Sequence, residues 1–498
     1  MPRSWTTSVP TLHLALDPHG SRRAALEAAL RTAIRERRLT TGTRLPSTRT
    51  LAVDLGLARG TVVEAYAQLT AEGYLSTRRG AGTWVADVAV AAPTTSVPAE
   101  AAPRPVRFNF NPGLPDLTAF PRAAWTRALR RGLRDAPASS LGYGDPRGRP
   151  DLREALAKYL ARARGAVADP ELVVVCAGFG HGLSLLLRML HARGVGCVAM
   201  EDPCLAWHRR VAKAAGLDVV PIPVDGRGAR TDLLDTTRAG AAVLAPAHQF
   251  PLGALLHPER RASAVAWARA TGGLVIEDDY DAELRYDRPP VGALQALDPQ
   301  HVAYAGTTSK TLAPGLRLGW LLVPSELVES VVALRATEDV HVPALDQIAF
   351  AQLLISGAFE RHVRRMRARY RGRRDRLVAM LRARAPRVTP VGISAGLRVL
   401  LELPRHGPSG EELADRAAQR SMELFPVGAC YHAGRPARDG LVVGYAALPE
   451  HAFESGLDAL GDLLAVSAAG GRSGCRVAAP ASHPDTSPLP PHPTPTRR

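Results

Sequence analysis

Apolar residues return every fourth position in "SRRAALEAALRTAIRERRL" (21–39), where Leu26, Leu30 and Ile34 form one stripe and arginines take the other faces. That spacing predicts an amphipathic helix. In the following stretch (42–86), Ser47 is placed to begin a short helix through Leu51 and Leu55. Gly56 then allows a tight turn, and a second helix runs from about Arg59 with Val62, Val63, Tyr66 and Leu69 inward. After Gly73 the pattern "YLSTRRGAGTWVA" alternates around Gly80 and Gly82, which predicts a β-hairpin with a basic tip. The sum is a winged helix-turn-helix. A plain three-helix bundle shares the helical spacing, and the basic hairpin with the polar start of the second helix separates the two.

Further along, strand-like apolar runs alternate with helical ones: "ELVVVCAG" with "GHGLSLLLRMLHARG", "GCVAME" with "AWHRRVAKAAG", "AAVLAPA" with "ERRASAVAWARATG", and later "GLVIEDDY". This alternation predicts an α/β domain with a mostly parallel sheet, whose ligands collect at the carboxyl ends of the strands. Pro-, Ser- and Ala-rich segments set the boundaries. They give a head over 1–87, a flexible linker over 88–106, a body over 107–466 and a disordered tail over 467–498.

Composition adds constraints. With 498 residues the chain exceeds one ordinary core. Its net charge of +16 fits a polyanionic partner such as nucleic acid, although an arginine-rich composition gives part of this without any partner. Five scattered cysteines without a C-x-x-C pair argue against a disulfide framework or a structural zinc site and suit the cell interior. The N-terminus lacks a signal-peptide pattern, and no apolar run of membrane-spanning length occurs, so a cytoplasmic protein is expected.

Of 63 Lys+Arg, only three are lysines: Lys158, Lys213 and Lys310. Lys310 stands in "YAGTTSKTLAPGLRLGW", and an amine there can do what a guanidinium cannot, namely lose its proton and form a Schiff base. Three more polar clusters fall at strand ends. "AGFGHGL" opens a helix with free N–H groups suited to a phosphate, "PAHQFPLG" follows the strand at 241–245, and "IEDDYDAELRY" brings in Asp278, Asp279 and Tyr280. With Arg317 as a second phosphate partner, the set contains an amine, a buried carboxylate, a phenol and a phosphate turn. Pyridoxal 5′-phosphate (PLP) needs that set: its aldehyde takes the lysine, its ring nitrogen needs a carboxylate, and its phosphate needs N–H and guanidinium donors.

The head, with "GTRLPSTR" at 42–49, resembles the DNA-binding domain of the GntR family, and the body resembles fold-type I aminotransferases. Together, through "EDP", "HQFPLG", "EDDYDAELRY" and "SKTLAPGLRLG", they resemble the MocR subfamily of GntR regulators over about residues 10–465. The resemblance implies a homodimer that binds double-stranded operator DNA through Arg44, Ser47, Arg49, Arg59, Thr61 and the wing Gly80. It also implies PLP held as an internal aldimine on Lys310, with Asp278 on the pyridine nitrogen and Tyr280 on the ring hydroxyl. Ser309, Arg317 and the turn at Phe179 and Gly180 would hold the phosphate. Asp278 is favoured over Asp279 because Tyr280 then lies two residues on along the strand.

Two positions depart from the family pattern. Leu205 stands where relatives carry a ring-stacking aromatic, so that either Leu205 itself or nearby Trp207 covers the cofactor. Val442, in "GLVVGYAAL", stands where aminotransferases carry the arginine that clamps a substrate carboxylate. From Val442 the expected effector is PLP itself or a ligand without an α-carboxylate, with Arg398 as either a replacement clamp or a surface strand arginine. Three functions are consistent with these features: a regulator that senses PLP or an amine or amino-acid effector, an active aminotransferase with a DNA-binding domain, and a DNA-bound protein whose cofactor site is a relic. The first is expected. No metal is expected.

Overall fold

Leu26, Leu30, Ala33 and Ile34 close one face of α1 (Arg22–Arg35) against α2 (Thr48–Asp54) and α3 (Arg59–Ala71), and Leu51, Val62, Tyr66 and Leu69 complete that core. Ser47 caps α2 by accepting the Thr50 N–H at 3.1 Å. The Tyr66 hydroxyl donates to the Pro46 carbonyl at 3.1 Å and ties α3 to the turn that precedes α2. Val63, expected inward, is 45% exposed. At 100° per residue, Val62, Tyr66 and Leu69 share one face and Val63 lies outside it. An antiparallel ribbon of β1 (Leu75–Arg78) and β2 (Gly82–Val85) follows, in register Leu75 to Val85.

The computed structural model describes residues 21–78, 82–87, 105–286, 291–392, 395–432 and 439–469. Gly80 and most of the expected linker and tail lie outside them. The chain divides into two units, Met1–Pro103 and Arg104–Arg498.

The second unit opens with β3 (Phe108–Asn109), α4 (Arg122–Asp135) and α5 (Pro150–Arg164). Its main sheet is built from β4 (Val173–Cys176), β5 (Cys197–Asp202), β6 (Asp218–Asp225), β7 (Gly228–Ala229), β8 (Ala241–Leu244), β9 (Leu274–Asp279), β10 (Val302–Thr307) and β11 (Gly319–Leu322). The spatial order is β4-β11-β10-β9-β8-β5-β6-β7. From β10 to β6 neighbours run parallel, whereas β11 is antiparallel to both β10 and β4, and β7 is antiparallel to β6. The crossovers carry α6 (Phe179–Ala192), α7 (Ala206–Ala214) and α8 (Pro258–Thr271). Strands β4, β8, β9 and β10 are buried along their whole length, because helices and loops cover both faces.

Helices α9 (Ser325–Glu338), α10 (Ala344–Ile355) and α11 (Ala358–Arg384) lead to a smaller sheet. This sheet contains β12 (Thr389–Val391), β13 (Arg398–Glu402), β15 (Phe425–Pro426) and β16 (Gly440–Gly444), in the order β12-β13-β16-β15. Between β13 and β15 lie α12 (Gly410–Gln419) and β14 (Met422–Glu423), the latter pairing with β3. The last helix, α13 (Glu450–Ala469), runs three residues past the expected end of the body, since "AVSAA" holds no breaker before Gly470. Among the described residues no helix is long and apolar enough to cross a membrane.

Candidate functional site

The carboxyl ends of β4, β5, β8, β9 and β10 surround one cleft of about 450 Å³. Phe179 and Gly180 reach it from the start of α6, and Leu205, Trp207 and His208 from the segment after β5. Phe250 follows β8, while Asp278 and Tyr280 stand at the end of β9. Ser309 and Lys310 follow β10, and Arg317 precedes β11. All seven residues expected to touch a cofactor therefore line one cavity. Asn111, Pro112, Gly113, Phe425 and Arg398 also line it. Sequence reasoning passed over the first four, although Asn-Pro-Gly is a recognisable turn signal.

Lys310 donates from Nζ to the Gly113 carbonyl at 2.6 Å. Burial lowers its pKa, the nearby Arg398 charge lowers it further, and Asp281 and Asp278 oppose the shift. A desolvated amine of this kind is readier to lose its proton.

The two adjacent aspartates have different partners. Asp279 Oδ2 accepts from Arg164 Nε at 2.6 Å and from the Tyr304 hydroxyl at 2.8 Å, with both ion-pair side chains almost completely buried. Asp278 faces the cleft, and its Oδ1 is buried without a hydrogen-bond partner. Burial drives the Asp278 pKa well up, and the charges of Glu201, Asp279 and Asp281 add to the rise. An orphaned buried carboxylate oxygen is costly until a donor reaches it, and a protonated pyridine nitrogen is such a donor.

At the α6 end, Gly178 takes a positive φ of 83° and caps the helix, leaving the first-turn N–H groups directed outward. Arg317 lies against it, with Nη2 donating to the Ala177 carbonyl at 2.5 Å. The Thr307 hydroxyl bonds that of Ser309 at 2.9 Å. A Cβ on Gly180 would stand 2.1 Å from the Trp207 ring, so the indole rests directly on this turn. Trp207 thus covers the α6 end, while Leu205 lies towards Asp278 in an adjoining small cavity. Backbone N–H groups, a hydroxyl and a guanidinium form a donor set that fits a phosphate. Together with Lys310 and Asp278, the residues present fit PLP.

Around the ring end, the Tyr280 hydroxyl donates to the His248 carbonyl and accepts from Arg398 Nη2. Arg398 is 5% exposed, so it is no surface strand arginine. It rises from β13 into the cleft because alternate residues of that strand face the larger sheet. Val442 is fully buried among Leu400 and Val427 and does not line the cleft. His208 has its pKa pushed down to about 4, by burial first and then by the Lys310 charge. Glu201, which accepts from the Ala245 N–H and from Gln249 Nε2 at 3.2 Å each, is pushed up to about 7 by burial.

In the first unit, Arg44, Ser47, Arg49 and Arg59 are exposed and Thr61 is half-buried. Arg59 is the first residue of α3, the position from which a recognition helix meets base edges. The Arg44 guanidinium lies 5.7 Å from the centre of the Trp84 ring on the ribbon, which holds it beside the wing. The Ser47 hydroxyl is already engaged with Thr50.

Two family models match the chain: bacterial regulatory proteins of the gntR family over residues 22–85, and aminotransferase class I and II over residues 108–433. The probable rhizopine catabolism regulatory protein MocR of Rhizobium meliloti is 34% identical, over 86% of this chain and 91% of its own. The HTH-type pyridoxine biosynthesis transcriptional regulator PdxR of Corynebacterium glutamicum is 33% identical, over 91% of this chain and 99% of its own. Among solved structures, an archaeal alanine:glyoxylate aminotransferase superposes with a TM-score of 0.66 at 26% identity, over 72% of this chain and 90% of its own.

Proposed function

The chain belongs to the MocR-type GntR regulators, which join a winged helix-turn-helix to an aminotransferase-like body, and we propose that its body senses PLP or an amine that reacts with it. The observation that carries this reading is the pairing, in one cleft, of a desolvated Lys310 with the unpartnered Oδ1 of Asp278. When bound, PLP supplies an aldehyde for the lysine amine and a ring that draws off electrons. Lys310 provides that amine, Asp278 holds the ring nitrogen protonated, and Tyr280 faces the ring hydroxyl. Ser309, Arg317 and the N–H groups at Phe179 and Gly180 hold the phosphate, while Trp207 and Leu205 keep water out. A relative named for control of pyridoxine biosynthesis is in keeping with a cofactor-level signal.

In the head, Arg59 and Thr61 read bases while Arg44, Ser47, Arg49 and the wing at Gly80 contact the backbone, in a cytoplasmic homodimer that spans two half-sites. We assign the body to sensing rather than to turnover, because the relatives that the chain matches over nearly their whole length, MocR and PdxR, are named as regulators. The intact Lys310, Asp278 and Tyr280 set favours a second reading, an active transaminase, which amino-group transfer from amino acids to keto acids would reveal. The deciding experiment compares operator affinity of apo and PLP-loaded protein, with Lys310→Ala as the control. Loading should change the affinity of the unaltered protein and leave the variant unchanged. Borohydride-fixed PLP on Lys158 or Lys213 would refute the assignment.

A further inference from the structure

Strand β13 brings a second arginine to the cleft. Its register sets Arg398 opposite Gly444 and Leu400 opposite Val442 on β16. Paired and alternate residues share a face, so Arg398 rises on the same side of the small sheet as Val442, two residue pairs along. Val442 ends within the core, whereas Arg398 reaches the cavity.

The Arg398 side chain is 3% exposed and lies between two rings, 4.5 Å from the centre of Phe250 and 5.1 Å from that of Tyr280. Nη2 donates to the Tyr280 hydroxyl. Nη1 lies 3.6 Å from Asp281 Oδ2, beyond hydrogen-bond reach, and Asp281 is already engaged by His248 Nδ1 at 2.8 and 3.1 Å. Among the described residues, Nε and Nη1 of Arg398 donate no hydrogen bond. Nη1 thus keeps an ion pair with Asp281, and a guanidinium that lines the cleft with donors outside any hydrogen bond matches the two oxygens of a carboxylate. The rings fix its plane, so little freedom is lost when a ligand arrives.

We propose that Arg398 binds a carboxylate of the effector, and that the effector is therefore an amine that also carries a carboxylate. The clamp absent from position 442 is supplied from the neighbouring strand. This inference rests on PLP being held on Lys310. It departs from the expectation drawn from Val442 alone, because the burial and orientation of Arg398 are visible only in the folded chain.

The test uses full-length, PLP-loaded protein and ligand pairs that differ only in the acid group: L-alanine with L-alaninamide, and β-alanine with 3-aminopropanamide. Half-saturation is read from the cofactor's visible band and, independently, from operator binding, with concentrations corrected to unprotonated amine. At least one acid should be favoured over its amide by about tenfold or more, as expected for a charge-assisted hydrogen bond. Arg398→Met, which keeps a stem against the two rings, should erase the preference while retaining PLP. Equal binding of acid and amide by the unaltered protein would overturn the proposal and leave PLP sensing intact. Failure of the unaltered protein to hold PLP on Lys310 would instead remove the reading on which it rests. A folded Arg398→Met that loses PLP would make Arg398 a cofactor ligand and also overturn it. Should that variant not fold, Arg398→Lys decides, since it keeps charge but not the fork; an unchanged preference there would count against the proposal.

Discussion

Asp278 and Asp279 are neighbours in sequence, and both are buried, yet their substitution should have opposite consequences. Asp279→Asn breaks a buried ion pair with Arg164 and should destabilise the fold by about 3–5 kcal/mol. Both aspartates have an Oδ1 without a hydrogen-bond partner, but only Asp279 holds an ion pair among the described residues, so Asp278→Asn should leave stability unchanged or raise it while weakening PLP binding. Urea unfolding of the apo variants beside PLP titrations separates the two, and the reverse pattern would transfer the cofactor role to Asp279. The sequence could favour one aspartate only by register, because Arg164 lies 115 residues away and nothing local announces the pair. Arg398 was equally opaque, since a strand arginine between Leu397 and Val399 looks the same whether it faces solvent or a cleft. Lys310 was legible because an amine stands out against an arginine-rich background. Glu201 adds a pH dependence. Its folded pKa, about 7, exceeds the unfolded carboxylate value, so its contribution to stability is fully present below pH 4.5 and lost as pH rises through 7. Relative to the unaltered apo protein, Glu201→Gln should therefore gain stability between pH 5 and 8, by on the order of 3 kcal/mol at most, which urea unfolding at the two pH values would register.

At the level of elements, the start of α6 and the start of α2 show how a helix terminus serves a site. Gly180 has no room for a side chain, because Trp207 occupies the space where a Cβ would project. Gly180→Ala should displace the six-membered ring of the indole, leave the fold standing, and weaken PLP binding by roughly tenfold through a disturbed phosphate turn. Unchanged PLP affinity would mean that the turn does not hold the phosphate. Ser47 ends its own chain of contacts at Thr50, so Ser47→Ala should destabilise the first unit by about 1 kcal/mol through the lost cap. Weakened DNA binding at temperatures where the variant is fully folded would show that the hydroxyl contacts phosphate as well. The long apolar strands and the helices between them were readable from alternation, because burial on both faces leaves continuous Val-, Ile- and Leu-rich runs. The four-stranded sheet of β12, β13, β15 and β16 was not, since two- to five-residue strands set among Gly and Pro carry too little periodicity. Val63 was misassigned for a related reason: in a helix rich in small and β-branched residues, apolar character alone does not mark the inner face.

For the whole molecule, charge and linkage govern the outcome. Operator binding should weaken steeply with salt, because each arginine at a phosphate releases counterions, and loss of one such contact should reduce the slope of log K against log[salt] by about one. Arg59→Ala should instead lose about 1–3 kcal/mol at one base pair if that side chain reads a base. Sensing, however, requires more than two competent units on one chain. A cofactor that binds equally well to the DNA-binding and non-binding states shifts nothing, however tightly it binds. If PLP changes operator affinity by some factor, operator DNA must change PLP affinity by the same factor, since the two binding free energies share one cycle. Coupling between sites commonly amounts to about 1–3 kcal/mol, so the factor expected here is roughly 5–150. Measuring the PLP dissociation constant by its visible band, with and without saturating operator, and operator affinity with and without PLP, gives two ratios that have to agree. Agreement at a factor above about five supports a PLP-responsive regulator. Agreement at unity would exclude PLP occupancy by itself as the signal, and the same pair of ratios measured with the amine ligand on PLP-loaded protein would then decide between an amine-responsive regulator and a catalytic body.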